Sequence, residues 1–356
     1  MPTERSPINE AVQKAQTILM TASNIMVLGM STLTSLLDPV GIAVRTGEPA
    51  IALNALKSGL AESLRKNKGE LTKLGETLGL ISDTAIKDVF NEGYSGRYMT
   101  GKTKKVNDKF FELIQLERWT KSTRLMGLAA AQDFIKKHVG GSNPNSKRFL
   151  EELGLQKGDV KLGSDGSIKV LTYSQRNKAN KADKARDQRV RYAITNFVDS
   201  AILRPTPSQR PLWASDPHYA LFFHLKSFMY SFHKTIIMPA INEAVKHGNA
   251  KPLIALGMYP ALMMAVNAAK DVVKTMGDDD EDWTPDYKAN WGVGQYMWDG
   301  IERSGVLGLG QLPFDMSRSS EFGDSAIFGL FGPALDYQTF TKLPVPLNYW
   351  YKNLNE

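Results

Sequence analysis

The residues with the clearest chemical potential in this sequence are the basic side chains of one short run, residues 174–191. The run contains seven cations against two aspartates, and such a density of cations can bind the phosphates of nucleic acids or of lipid headgroups. The cations are Arg176, Lys178, Lys181, Lys184, Arg186, Arg189 and Arg191. On a helix they point to nearly all sides, so a solvated helix remains an alternative to a phosphate-binding surface.

Other residue types that commonly form catalytic or metal sites have unfavourable spacings here. His218, His224 and His233 lie six and nine residues apart, which places neighbouring imidazoles on different sides of a helix. The acidic residues 278–282 lack the ligand spacing and the glycine of an EF-hand loop. The glycines of 305–310 occur in the wrong order for a dinucleotide loop. We therefore predict no catalytic residue, no metal site and no bound cofactor, and hence a protein that is not an enzyme.

Residues 204–245 combine a connector rich in proline and arginine with one long amphipathic helix. Asp216 is a suitable N-cap and Pro217 a suitable first helical residue, since proline loses no hydrogen bond there. Apolar side chains then recur at alternating spacings of three and four, which predicts an apolar seam. They are Phe222, Leu225, Met229, Phe232 and Ile236. Leu221 and Phe228 widen the seam beyond one partner helix, so we expect 217–238 to be an assembly helix.

Two long segments without charged residues could span a membrane, for which about 20 apolar residues suffice. The first, 18–37, contains several serines and threonines, so a buried or oligomer-facing helix is the alternative to a conditional membrane segment. The second, 253–269, contains Gly257, Pro260 and Asn267. A core helix is the alternative to a membrane-active helix in that case.

Composition and pattern together predict a mainly α-helical protein. The chain has 356 residues, a net charge of +7, 42% apolar residues and no cysteine, which suits a folded protein without disulfides or thiol chemistry. We expect an irregular assembly with long amphipathic helices, one small β-hairpin around residues 163–166 and an extended C-terminal arm. Four regions are predicted: a helical region (1–141), a small helix, hairpin and basic helix (142–203), the amphipathic and apolar helices (204–276), and an acidic loop, Trp-rich helix and arm (277–356).

Several short motifs occur in a fixed order along the chain. Upstream are Leu28–Gly47 with its Ser35-Leu36-Leu37-Asp38-Pro39 core, and Leu116–Phe134 with Glu117-Arg118-Trp119-Thr120 and Thr123-Arg124. Phe197-Val198-Asp199 and the connector residues Arg204, Pro205, Arg210, Pro211, Trp213, Ser215, Asp216 and Pro217 follow, and then Leu225-Lys226-Ser227-Phe228. In this order they resemble a recurring segment of the internal virion (DNA ejection) proteins of short-tailed bacteriophages and of phage large polyvalent proteins.

The resemblance covers roughly residues 20–250 and includes no catalytic signature. It implies a helical protein stored in the virion interior and passed through portal and tail at infection. There it would form a homo-oligomeric conduit across the host envelope, in the periplasm or inner membrane, with other ejection, core, portal or tail proteins and with double-stranded DNA as non-specific partners. The alternatives are a static capsid-core or portal-associated protein and a DNA-binding accessory module of a virion polymerase.

Overall fold

The computed structural model describes residues 14, 16–22, 24–25, 35–87, 101–141, 144–156, 158–163, 166–202, 226–275, 288 and 291–307. Within these residues the regular structure is almost entirely α-helical, and no β-sheet is present. The mainly α class is therefore confirmed. The connector at 204–217, the acidic residues 278–282 and the C-terminal arm from 308 lie outside the described residues.

Thirteen α-helices make up the described part of the chain. The first eight are α1 (Asp38–Thr46), α2 (Pro49–Ser63), α3 (Glu70–Thr77), α4 (Gly101–Leu113), α5 (Leu116–Val139), α6 (Pro144–Glu152), α7 (Tyr173–Lys178) and α8 (Lys181–Ala201). The last five are α9 (Lys226–Phe232), α10 (Met238–His247), α11 (Lys251–Leu256), α12 (Met258–Thr275) and α13 (Val293–Ser304). A 3-10 turn, Ser35–Leu37, precedes α1.

The sequence pattern from Val106 to His138 predicts one long helix, but the structure has two there, α4 and α5. The break lies at Gln115, which has a φ of 58° in the left-handed region. A non-glycine residue in this region cannot continue a right-handed helix. The apolar periodicity is similar on both sides of the break, so the sequence pattern did not reveal it.

Pro239 does not end the central helix, because a π-helical turn, His233–Ile237, comes directly before it. In this turn the Met238 N–H donates to the carbonyl oxygen of His233. Proline has no N–H and its ring collides with the carbonyl four residues earlier. The wider turn accommodates the ring, and α9, the turn and α10 run on without interruption.

The predicted β-hairpin is reduced to a single antiparallel bridge between Leu162 and Ile168. Lys169 N donates to the carbonyl oxygen of Lys161 at 2.8 Å, and Gly163 N donates to Ser167 O at 2.7 Å. The chain therefore reverses direction where expected. Two strands alone are marginally stable, and here the reversal packs on helices through the buried Ile168 instead.

A first hydrophobic core is formed mainly by α2, α5 and α8, with α3 and α6 at its edges. Phe134 of α5 and Phe197 of α8 are fully buried, with ring centroids 5.2 Å apart. Each such aromatic side chain stabilises the fold by about 1.5–3 kcal/mol through apolar burial. This core therefore combines residues from the predicted regions 1–141 and 142–203.

A second core joins α1 to the π-helical turn, α10, α11 and α12. Phe232 and Tyr259 meet edge to face in it, with ring centroids 5.3 Å apart. Because α1 contributes Ile42 to the first core and Val44 to the second, this helix links the two.

Candidate assembly and phosphate-contact surfaces

Arg189, one of the predicted phosphate ligands, is engaged inside the protein. Its Nε and Nη2 atoms donate to the two carboxylate oxygens of Asp159 at 2.8 and 2.7 Å. This two-point contact holds the pKa of Asp159 below its usual value. Such paired geometry is the strong form of an arginine–carboxylate contact, so Arg189 serves to fix the loop before α7 on α8.

Arg191 and Asp187 form a second internal cluster. Arg191 Nε lies 2.7 Å from Asp187 Oδ2, and its two terminal nitrogens donate to the backbone oxygens of Thr77 and Leu171. Asp187 is only 1% exposed and also accepts from Leu171 N at 2.7 Å. Arg191 therefore joins α8 to the end of α3 and to the segment before α7.

The remaining basic residues of the run divide by exposure. Arg176 and Arg186 lie at 4.0 and 3.9 Å from the carboxylates of Asp187 and Asp183. The exposed ones are Lys178, Lys181 and Lys184, and none has an ion pair among the described residues. Of the seven predicted phosphate ligands, three exposed lysines at the junction of α7 and α8 therefore remain the best candidates for binding a phosphate.

The predicted assembly helix uses part of its seam within the subunit. Phe232 and Ile236 are 4% and 3% exposed in the second core, and Met229 is half-buried. Phe222 and Leu225 lie outside the described residues. Phe232 and Ile236 are therefore not available to a second chain in this fold, and the neighbours of the seam are α1, α11 and α12.

The apolar helix formed by α11 and α12 is the second predicted membrane segment. Over Lys251–Val273 it is long and apolar enough to cross a membrane, and it is the one such helix in the described part of the chain. At about 1.5 Å per residue its 23 residues span about 34 Å. This slightly exceeds the thickness of a bilayer's hydrocarbon core.

One face of this apolar helix is open to solvent. Its residues recur at alternating spacings of four and three, as in a helix–helix seam: Ile254, Met258, Ala261, Ala265 and Ala268. Ile254 is 70% exposed, whereas Leu256, Tyr259 and Met263 on the other face are buried in the second core. The helix therefore presents an uncharged surface to its surroundings.

The first predicted membrane segment is described only in part. Residues 16–22, 24 and 25 are helical. Asn24 is fully buried, and its side-chain amide donates to Asn107 Oδ1 of α4 at 2.9 Å. Met20 is also fully buried, whereas Ile18 is 48% exposed, so the described portion of 18–37 packs against the protein on one side.

Four residues from the described motifs of the resemblance, Ser35, Trp119, Arg124 and Asp199, take part in contacts between distant parts of the chain. The Trp119 indole donates to the backbone oxygen of Ser35 at 2.8 Å. Arg124, only 2% exposed, donates to Leu80 O at 2.7 Å and to Asp199 Oδ1 at 2.9 Å. These residues hold α5, α8 and the turn before α1 together, so in the described motifs they serve as packing contacts.

A cleft of about 300 Å³ opens between α1, α6 and α10. On one side Arg148 donates to both carboxylate oxygens of Glu243 at 2.6 and 3.0 Å. On the other side burial lowers the pKa of Arg45, which donates to Ser200 Oγ at 3.1 Å. The Arg148–Glu243 pair ties α6 to α10.

No cluster of three or more histidine or carboxylate side chains that could hold a metal ion occurs among the described residues. Of the three histidines discussed above, His233 is described, and its buried Nδ1 has no hydrogen-bond partner in the part of the chain that the structure describes. His218 and His224 lie outside the described residues. Comparisons with protein-family models, with curated protein sequences and with solved structures find no match.

Proposed function

We propose that this chain is an internal virion protein of a short-tailed bacteriophage. In the proposal it is ejected at infection and oligomerises into part of a conduit that carries the genome across the host envelope. It acts as a structural component and not as an enzyme. The order of the resembling motifs supports the assignment to a phage. The open apolar face of α11 and α12 and the exposed lysines of α7 and α8 support the proposed contacts with membrane and DNA.

The observation that carries the proposal is the open apolar face of α11 and α12. An uncharged run from Pro252 to Ala269 lies between Lys251 and Lys270, and Ile254 and Met258 on it are 70% and 43% exposed. A helix of this kind can pack against other helices or lie in lipid, since lysines at its ends can extend their ammonium groups to the headgroups. Both environments occur in a conduit that crosses a membrane.

The expected partners follow from the surfaces. A second copy of the chain or another ejection, portal or tail protein would contact the exposed seam. The host inner membrane would contact the same helix after infection. Double-stranded DNA would contact the exposed lysines of α7 and α8 without reading its sequence, because lysine neutralises phosphates and carries no base pattern by itself.

The proposal is tested by following an epitope-tagged copy of the protein through infection by the phage that encodes it. We expect the tag to disappear from emptied particles and to be recovered with host membranes in a cross-linkable oligomer. A tag that stays in the particle supports the static capsid-core or portal-associated alternative and refutes ejection. Portal protein tagged in the same way is the matched control that should remain in the particle.

A role as a DNA-binding accessory module is the second candidate function. The three exposed lysines of α7 and α8 favour it, because cations without partners can release counterions from DNA. Binding to DNA in solution without loss from the particle at infection would select this candidate over the ejection protein.

A further inference from the structure

Helix α13 lies against the middle of the apolar helix at very short range. A Cβ atom built on Gly300 would stand 2.5 Å from Met264 Cγ and 2.8 Å from the backbone oxygen of Pro260. No other residue than glycine fits this contact without displacing its neighbours. Pro260 and Met264 lie at the centre of Lys251–Val273, so α13 covers the middle of the span.

A buried polar network joins the two helices beside this contact. Asp299 of α13 accepts from Asn267 Nδ2 at 2.7 Å and from Arg303 Nε at 2.6 Å. Lys288 Nζ lies 2.6 Å from Asp271 Oδ2 and 3.8 Å from Asp299 Oδ2. Lys288, Asp299 and Asp271 are 2%, 4% and 5% exposed. Two carboxylates and the Lys288 ammonium thus meet in an almost dry environment, and Arg303, whose side chain is 48% exposed, closes the network on the solvent side.

This arrangement is incompatible with a membrane-spanning form of the apolar helix. The 12 residues of α13 extend over about 18 Å, too short to cross a bilayer. With Gly300 opposite the centre of the span, Glu302 and Arg303 would lie near the middle of the hydrocarbon. Charged groups at that depth are strongly unfavourable.

The apolar helix released from α13 has no such obstacle. Asp271 lies two residues from the end of Lys251–Val273, where its carboxylate can reach the headgroups. Asn267 is uncharged, and a helix in lipid tolerates an amide that finds a hydrogen-bond partner. The two states of the helix therefore differ mainly in whether α13 is bound.

We propose that the network around Asp299 is a clamp that holds α13 on the apolar helix in the water-soluble protein, and that its opening is required for this helix to enter a lipid bilayer. The clamp rests on the proposed function, because it would control the step in which the apolar helix enters the host membrane. It predicts that weakening the network frees α13 first and makes Lys251–Val273 insert more readily.

The first experiment measures clamp opening in solution, without lipid. In D299N one negative charge is lost from the buried network, and removing one partner of a buried ion pair is strongly destabilising. We expect hydrogen exchange of the α13 amides to become at least tenfold faster, with α5 unaffected. The matched control is E302Q on the same helix, because Glu302 accepts from the Trp298 indole at the protein surface. Equal α13 exchange in D299N and E302Q overturns the clamp.

The second experiment opens the clamp by a different route. In G300A the added Cβ atom would stand 2.8 Å from the backbone oxygen of Pro260, so it should push α13 away without changing the charge of the network. G294A on the same helix is the matched control, because a Cβ atom there meets open space. The probe is a vesicle of equal parts phosphatidylcholine and phosphatidylglycerol that contains a fluorescent dye.

We expect D299N and G300A to release the dye several-fold faster than the unaltered protein, E302Q and G294A. Equal release from D299N, G300A and the two control variants, all bound to the vesicles, overturns the clamp. If no form of the protein binds the vesicles, the membrane step of the proposed function fails, and the exchange experiment separately decides whether the network holds α13.

Discussion

Replacing Arg124 by methionine tests the contact that links the resembling motifs. Arg124 lies in α5 and is 2% exposed. Its guanidinium donates to Leu80 O at 2.7 Å and to the carboxylate of Asp199 at 2.9 Å. Methionine retains most of the side chain's apolar length and removes both hydrogen bonds together with the charge. The change therefore isolates the polar contribution from the packing contribution.

The expected loss of stability follows from the hydrogen bonds and the ion pair that R124M removes. Each hydrogen bond that involves a charged group contributes about 1.5–3 kcal/mol, and breaking a buried ion pair from one side costs about 3–5 kcal/mol. The Asp199 side chain is 26% exposed, so water can solvate part of the abandoned carboxylate. The Leu80 oxygen must find a new donor. We therefore expect R124M to lower the free energy of unfolding by about 3–4 kcal/mol, at the lower end of the range.

The assay is urea denaturation followed by far-UV circular dichroism, with D199N and the double variant completing a cycle. In D199N the amide oxygen can still accept from Arg124, so we expect a smaller loss of about 1–2 kcal/mol. Arg118 lies on the same helix and is exposed. R118M is thus the matched control and should change stability by less than about 0.5 kcal/mol.

Two results would refute the reasoning. A cost below about 1 kcal/mol for R124M would place Arg124 among surface ion pairs, which contribute little. Additive costs of R124M and D199N would show that the two side chains do not interact, since residues in contact couple by about 0.5–3 kcal/mol.

Three further predictions concern pH, close packing and charge. Burial raises the pKa of Asp38 to about 7 from its ordinary 3.8, so stability should fall as pH rises from about 4 to about 7. D38N should then stabilise the protein at pH 8 by about 1–4 kcal/mol but not at pH 4, in thermal melts that include the exposed D83N as control. G127V should lower the free energy of unfolding in urea by about 1–3 kcal/mol, because a Cβ atom on Gly127 would lie 3.0 Å from Ile202 Cγ1. G294V should lower it less, because a Cβ atom on Gly294 meets open space. Converting Lys178, Lys181 and Lys184 to glutamine should reduce the slope of log K for DNA binding against log salt concentration by up to about 2.7. Converting the exposed Lys57, Lys66 and Lys109 to glutamine should leave that slope unchanged. Equal slopes for the two triple variants would contradict the phosphate contact.

Local signals in the sequence indicate where several helices of this protein begin. Pro49 and Pro252 stand in the first turns of α2 and α11, where proline loses no hydrogen bond. Gly79, with a φ of 74°, follows the end of α3, where glycine commonly stands. These features depend on a few neighbouring residues, so they can be deduced without the fold. The left-handed Gln115 that separates α4 from α5 could not, because glutamine does not favour that conformation.

The candidate site was predicted less well, for a physical reason. The sequence identified 174–191 as basic, but it could not show that Arg189 is paired with Asp159, 30 residues away, or Arg191 with the backbone of Thr77, 114 residues away. Likewise the buried position of Phe232 depends on Tyr259. A pairing over such separations depends on the path of the whole chain, and helical periodicity says only which side chains share a face.

By itself the sequence determined the helical class, the uncharged length of the apolar helix and the supply of cations. Only the tertiary structure decided which of the cations are neutralised inside the protein and which face of Lys251–Val273 stays open. It also brought Asp299 of α13 against Asn267 of α12. The reason is that burial and ion pairing are properties of a packed arrangement, in which residues far apart along the chain exclude water from one another.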